Sequence, residues 1–283
     1  MISGGRGPHV LTVDVEEFFQ TEGYSRFIRQ LDWSKYPGRV EKQTNRLLEL
    51  LGLSCARGTF FVLGWIAKRY PDLVREIASA GHEIASHGLQ HTMVTKLSPE
   101  DFREDLRCSK ALLEDITGRK IRGYRAPTFS ITRETAWAHD ILGEEGFSYS
   151  SSVFPIWHDR YGWPQFGDEP KKLELIEGGE LWEIPLSVWR FGPFRIPFGG
   201  GGYLRFYPLN ITKALFRRYE RRGKSVILYV HPWELDTDQP QIRAPIGARV
   251  RQTLGIGGME RKMRNLLMEV EFVSIEQFLE SRQ

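Results

Sequence analysis

"HVLTVDVEE" (9–17) decides how this chain is read. His9–Val15 is a short apolar run with β-branched residues, and it predicts a buried strand. That strand delivers Asp14, Glu16 and Glu17 at its C-terminal end. Outward from it the pattern alternates. "VEKQTNRLLELLG" (40–52) predicts a helix stopped by Gly52, and "RGTFFVLG" (57–64) a strand. "WIAKRYPDLVREIASAG" (65–81) predicts a helix restarted at Pro71 and ended by Gly81, and "HEIASH" (82–87) a strand. "SPEDFREDLRCSKALLEDITG" (98–118) is the clearest helix: Ser98 caps it, Pro99 opens it, Asp101 completes a capping box and Gly118 ends it. "GYRAP" (123–127) is a short strand ending near Pro127, "TRETAWAHDILGEEG" (132–146) a helix capped by Thr132, and "FSYSSSV" (147–153) a further strand. This alternation predicts an α/β fold with a parallel sheet, either a barrel or an open sheet.

Beyond residue 153 the pattern loosens. "FPIWHDRYGWPQFGDEP" (154–170) and "FGPFRIPFGGGGY" (191–203) are dense in Trp, Pro and Gly and read as long binding loops around a cleft. The "GGGG" run (199–202) lacks a strand before it and a G-x-G-x-x-G spacing, so it is no dinucleotide site. "ITKALFRRYERRG" (211–223) is helical, "SVILYVHPWEL" (225–235) is a buried strand ending on His231, and "MERKMRNLLMEV" (259–270) is a final helix followed by "FVSIEQFLES". With no repeat or linker, residues 1–283 are expected to form a single domain, its core motifs over 9–235 and a C-terminal helical extension over 236–283.

The 283 residues carry 39 basic and 36 acidic side chains, a balance too even for a nucleic-acid binder. Cys55 and Cys108 are expected to be free, buried thiols. Neither a signal peptide nor a transmembrane segment is visible, so a cytoplasmic location is expected.

His87 and His91, in "ASHGLQH" (85–91), could ligate a metal, relay protons, or sit in a polar loop without chemistry. H-x-x-x-H alone is common by chance. The other strand ends change that reading. The first presents Asp14, Glu16 and Glu17; "GYRAP" presents Arg125; "VILYVH" presents His231. Parallel α/β folds gather their sites at the C-terminal ends of strands. Two imidazoles and a carboxylate form a three-ligand hydrolytic zinc centre. A second carboxylate can take the proton of water, an arginine can hold it ionised, and a third histidine can protonate a leaving group.

The order D-x-E, S-H-x-x-x-H, R-A-P and L-x-x-H resembles the NodB-type polysaccharide deacetylases, carbohydrate esterase family four, over residues 9–235. "VDVEEFF", "FPIWHDRYG" and "HPWELD" look like the subgroup encoded with bacterial exopolysaccharide export and exosortase systems. The resemblance implies a distorted (β/α)7 barrel with long loops and metal-dependent removal of N-acetyl groups from an acetylated glycan. It implies one divalent metal, zinc, held by Glu16, His87 and His91, with Glu17 a competing carboxylate. It implies Asp14 as catalytic base, Arg125 as its partner, His231 as acid above Leu228, and the Thr128 N–H as oxyanion donor. Tyr124, Trp157, His158, Trp163 and Trp233 could stack on sugars; Trp65 and Trp137 are expected in the core, and His82 and His139 as structural or exposed. Where the family has an aspartate that orients the acid histidine stands Ser150, so Asp159 or another acid must substitute, or His231 is less basic. The competing functions are an amide hydrolase acting on a small cyclic amide or ureide, and a non-catalytic carbohydrate-binding member of an export complex.

Overall fold

In the computed structural model, which describes residues 7–158 and 160–282, every residue of strand β1 (His9–Val15) is buried. Burial on both faces explains why the run does not alternate. The other regular elements, in chain order, are α1 (Val40–Gly52), β2 (Thr59–Val62), α2 (Gly64–Arg69), α3 (Pro71–Ser79), β3 (Glu83–Ser86), α4 (Pro99–Thr117), β4 (Gly123–Tyr124), α5 (Ala138–Glu144) and β5 (Tyr149–Ser150). They continue with β6 (Lys171–Glu174), β7 (Glu180–Glu183), β8 (Val188–Phe191), β9 (Phe194–Pro197), α6 (Gly201–Phe206), α7 (Leu209–Glu220) and β10 (Ile227–Val230). The last are α8 (Ile246–Thr253), α9 (Ile256–Glu269), β11 (Phe272–Val273) and α10 (Ile275–Glu280). The chain divides into two compact units, one of residues up to Thr59 and from Phe198 onward, the other of Phe60–Pro197.

In the first unit β1 runs parallel to β10, with Val13 opposite Val230, and parallel to β11, with Val10 opposite Val273. This register brings the residues that follow, Asp14 and His231, side by side. In the second unit β3, β4, β5 and β7 are parallel neighbours, and β6 closes the edge as the antiparallel partner of β7. β8 and β9 form a separate two-stranded hairpin.

The expected strands and helices up to residue 153 are present, with two differences. Asp101 accepts the Ser98 hydroxyl (2.8 Å) and not the Ser98 N–H, so Ser98 caps α4 alone, accepting the Asp101 N–H at 3.1 Å. Gly118 ends α4 in the left-handed region, φ 65°, where glycine carries no Cβ penalty. The helix expected from Thr132 begins only at Ala138. Thr135 Oγ1 accepts the Thr132 N–H (2.9 Å) and donates to the Ser130 carbonyl (3.1 Å), a side-chain turn that replaces the first helical turns. Both cysteines are free as expected but exposed, because they lie outside the apolar stripes. The loops expected over 154–202 contain the β6–β7 and β8–β9 hairpins, whose mostly exposed faces gave the sequence no apolar period. Among the described residues no helix is long and apolar enough to cross a membrane.

Asp105, on α4, ties this scaffold to the loop after β3: its two carboxylate oxygens accept the Leu89 N–H at 3.1 and 3.0 Å. Burial pushes its carboxyl up to about 6, against the pull of the Leu89 hydrogen bond. The folded state therefore binds a proton that the unfolded chain has released. The stability this gives is complete below the ordinary aspartate range and is lost as pH rises through about 6. Asp105→Asn keeps an acceptor without the charge. We expect its stability relative to wild type to rise between pH 4 and 7 by on the order of 1–3 kcal/mol, measured by urea unfolding across that range.

Candidate functional site

The second unit fixes the two histidines from behind. Ser86, the last residue of β3, receives the Gly88 N–H on its hydroxyl (3.2 Å), and Gly64 and Trp65 donate to the carbonyls of Gly88 and Leu89 at 2.8 and 2.9 Å. His87 Nδ1 lies 2.9 Å from the Arg125 carbonyl. A carbonyl only accepts, so Nδ1 carries the proton and Nε2 keeps its lone pair. His91 adopts φ 54°, unfavourable for a residue with a Cβ, and its ring centroid stands 5.3 Å from that of His87 at 69°.

Arg125 follows β4 and is inaccessible to solvent. Its guanidinium donates to the Ser151 carbonyl (3.0 Å) and hydroxyl (2.9 Å) and lies over the Phe61 ring. Beneath Ser151 sits Glu183 of β7, also without solvent contact. Its carboxylate accepts the N–H groups of Ser152 (2.8 Å) and Val153 (2.9 Å) and lies 3.0 Å from His139 Nε2. Burial raises the Glu183 pKa, but His139 and these donors outweigh it and hold the carboxyl below its usual range. Ser152 in turn accepts the Ala126 N–H at 2.8 Å. Glu183 thus braces the R-A-P turn through the 150–153 segment. Immediately after R-A-P, Thr128 and Phe129 both have positive φ, 59° and 52°, and the Thr128 hydroxyl has no hydrogen bond among the described residues.

In the first unit the three acids after β1 have separate uses. Glu17 accepts the Arg39 N–H with both oxygens (2.8 and 3.0 Å) and the Val40 N–H at 3.1 Å, capping α1 from outside the helix. Glu16 Oε1 accepts the Trp233 indole N–H at 3.3 Å and lies 3.5 Å from His231 Nε2. The Trp233 ring stacks on His231, with centroids 4.9 Å apart and planes 25° apart. His231 Nδ1 lies 3.4 Å from Glu234 Oε2, and the same oxygen accepts the His231 backbone N–H at 2.9 Å. Burial pulls the imidazole pKa down, but Glu234, Glu16 and Asp14 together push it up to about 9.

Glu234 has no solvent contact; Arg205 donates to its other oxygen at 2.9 Å. The "GGGG" run makes room for it: a Cβ on Gly201 would stand 1.7 Å from Glu234 Oε2, and one on Gly200 would stand 2.5 Å from the Tyr229 ring.

Several sequence expectations change here. Ser150 donates to Ser152 at 2.8 Å, and of the two alternatives the first is found: another acid, Glu234, stands beside His231. Asp159, the other substitute considered, lies outside the described residues. Tyr124 cannot stack on a sugar: it is buried between Phe102 and Phe147, facing the core side of a two-residue strand. Trp233, 6 % exposed, is a wall against His231. Trp65 and Trp137 are half-buried, at the margin of the core that was expected to hold them, while Trp157 is exposed and His158 half-buried. His82 and His139 are buried structural groups, as expected. Glu183 and Glu234 were missed. Their only signal was an acid inside an apolar run, in "ELWEIPL" and "VHPWEL".

Residues 32–146 match the family model described as polysaccharide deacetylase, and residues 151–280 match one described as a domain of unknown function (DUF3473). The first segment contains His87, His91, Arg125 and Thr128, and over it the chain is similar to the polysaccharide deacetylases. A chitooligosaccharide deacetylase of Rhizobium leguminosarum bv. trifolii is 36 % identical over 114 residues, covering 40 % of this chain and 48 % of its own. A peptidoglycan deacetylase of Helicobacter pylori is 27 % identical over 141 residues, covering 50 % of this chain and 47 % of its own. The chain thus spans about half, or less, of the curated relatives it matches. A solved structure from Mycobacterium smegmatis, assigned to the polysaccharide deacetylases, superposes over 99 % of this chain and 92 % of its own with TM-score 0.66 at 22 % identity. A family-four pseudoenzyme from Bacillus anthracis matches at TM-score 0.50 and 16 % identity, over 97 % of this chain and 66 % of its own. The fold is α/β, of the distorted-barrel type, as in the Mycobacterium smegmatis structure.

The glycine run gives a sharp test. Gly201→Ala forces Glu234 off Arg205 and His231 and should cost about 2–4 kcal/mol in urea unfolding. Gly202→Ala, whose nearest neighbour would be the tip of Arg205 at 3.8 Å, should change stability by less than about 1 kcal/mol.

Proposed function

We propose that this chain is a metal-dependent N-deacetylase that removes acetyl groups from an acetamido sugar in a polysaccharide or glycan precursor, in the setting of exopolysaccharide synthesis. The observation that carries the reading is the locked His87 ring beside His91: the Arg125 carbonyl accepts Nδ1–H, which makes Nε2 the nitrogen with a lone pair to offer a metal. The ligands assigned are His87 and His91, with Glu16 as the carboxylate; neutral imidazoles with one carboxylate suit zinc. The capping duty of Glu17 supports Glu16 as the carboxylate.

A metal bound there supplies Lewis-acid polarisation to the acetamide carbonyl and to water. The chain's own residues do the rest. Asp14 takes a proton from the attacking water. The Thr128 N–H, in the left-handed turn after R-A-P, meets the oxygen where negative charge develops. His231, held charged by Glu234, gives its proton to the departing sugar amine. The aromatic residues Trp157, Tyr161 and Trp163, which line one pocket, favour a sugar over a very small cyclic amide.

Protein stripped with a chelator and reloaded with zinc should release acetate from N-acetylglucosamine oligomers. His87→Ala/His91→Ala should lose both zinc and activity; zinc content equal to wild type in this double variant would overturn the metal assignment. Asp14→Asn should lower kcat/KM by about 10²–10⁴-fold while keeping its zinc. Zinc binding without acetate release from any glycan would instead favour a carbohydrate-binding role or a small-amide substrate.

A further inference from the structure

Helix α7 belongs to the first unit and has two unlike sides. Its inner side is fixed in the core. Leu215, Phe216 and Tyr219 are buried, and the Phe216 ring packs edge-on against His9, with centroids 4.9 Å apart, and against Phe272, at 6.0 Å. At about 3.6 residues per turn, Ile211, Ala214, Arg217, Arg218 and Arg221 fall on the other side. Arg222 follows in the turn that ends the helix.

The four arginines of this side lack counter-charges. Among the described residues none of them forms an ion pair, and the Nε of Arg218 is buried without an acceptor. The acids close by are engaged elsewhere: Glu220 lies 3.3 Å from His9 Nε2, and Glu269 holds Lys213. A groove of about 390 Å³ lies along the arginines, lined by Ala214, Arg217, Glu220 and Arg221, with room for a small anionic headgroup. At the other end of the helix the surface is apolar. Ile211 is 48 % exposed, and Phe206, separated from α7 only by Tyr207 and Pro208, is 65 % exposed.

The helix dipole favours cations in the last turn, which accounts for some of these arginines. It gives no reason to hold Phe206 and Ile211 in water. Single exposed apolar side chains are common on protein surfaces. Next to a row of unneutralised guanidinium groups they acquire one shared partner, an anionic lipid surface. Lipid phosphates meet the arginine forks, and the apolar side chains enter the boundary between headgroups and acyl chains. A nucleic acid or an acidic glycan would engage the arginines and leave Phe206 and Ile211 unused. With 12 residues, α7 can lie on a bilayer and is too short to span one.

We propose that the outer side of α7, together with Phe206, docks reversibly on an anionic membrane surface. This holds whether or not the deacetylase reading is right, and its test needs no turnover.

The test is co-sedimentation of the full chain with vesicles of phosphatidylcholine alone, or of equal parts phosphatidylcholine and phosphatidylglycerol. Wild type should bind the anionic vesicles and leave the neutral ones in the supernatant. An arginine near a charged bilayer is worth about a fivefold factor in affinity, so Arg217→Gln/Arg221→Gln should bind about 20-fold more weakly. Arg119→Gln/Lys120→Gln, an exposed pair in the second unit with the same change of charge, should bind within about twofold of wild type. Phe206→Ser/Ile211→Ser removes no charge and should weaken binding about tenfold. All six side chains are exposed, so melting temperatures should match wild type. Equal weakening in the two charge variants would reduce the effect to overall charge and overturn the proposal, as would wild type that sediments with neither vesicle. Unweakened vesicle binding in Phe206→Ser/Ile211→Ser, with binding of dextran sulfate that Arg217→Gln/Arg221→Gln abolishes, would make this side a site for soluble polyanions and overturn the lipid assignment.

Discussion

A carboxylate cut off from water must find a donor for each oxygen or cease to be charged, and two such groups organise this molecule. Glu183 meets the requirement with two backbone N–H groups and His139; Glu234 meets it with Arg205 and the backbone and ring of His231. Neither is itself a reacting group in the proposed chemistry. Each fixes a short segment that carries one: Glu183 the serines behind Arg125, Glu234 the turn that begins at His231. Burial makes these tethers stiff, because a partner that moved away would leave an unpaired charge in a medium with little screening.

How much of this was legible in the chain divides along the same line. The order of strands and helices up to residue 153 could be read because parallel strands buried on both faces leave continuous apolar runs, and because α4 carries its own cap and stop. The groups that the proposed function assigns to the reaction could be read as polar residues at strand ends. Their tethers were not. An acid in "ELWEIPL" gives no hint that it faces inward until β5 and β7 are paired, with Ser150 opposite Glu183. Ser150 looked like a missing charge because the sequence shows one position at a time. The structure supplies the charge from Glu234, three residues along from the histidine it serves. Tyr124 failed for the opposite reason: a two-residue strand has no period from which inward and outward can be told.

His91, Thr128 and Phe129 hold left-handed backbone without being glycine, at a cost on the order of 1–3 kcal/mol each. Strain of that size persists only where neighbours over-determine the chain. Here the hydrogen bonds of Gly88 and Leu89 flank one turn, and those of Ala126 and Arg125 flank the other. The strain therefore sits between well-held residues at the two loops assigned to metal and oxyanion.

The close fit of Gly201 against Glu234 has a meaning for the history of the sequence. The two positions are not free to drift separately. While a buried acid occupies 234, any residue with a Cβ at 201 meets it; once the acid is replaced by a small neutral side chain, the space opens and the glycine is no longer required. Related chains should therefore show these positions changing together, and a descendant that lost the acid would accumulate larger residues in the glycine run soon after.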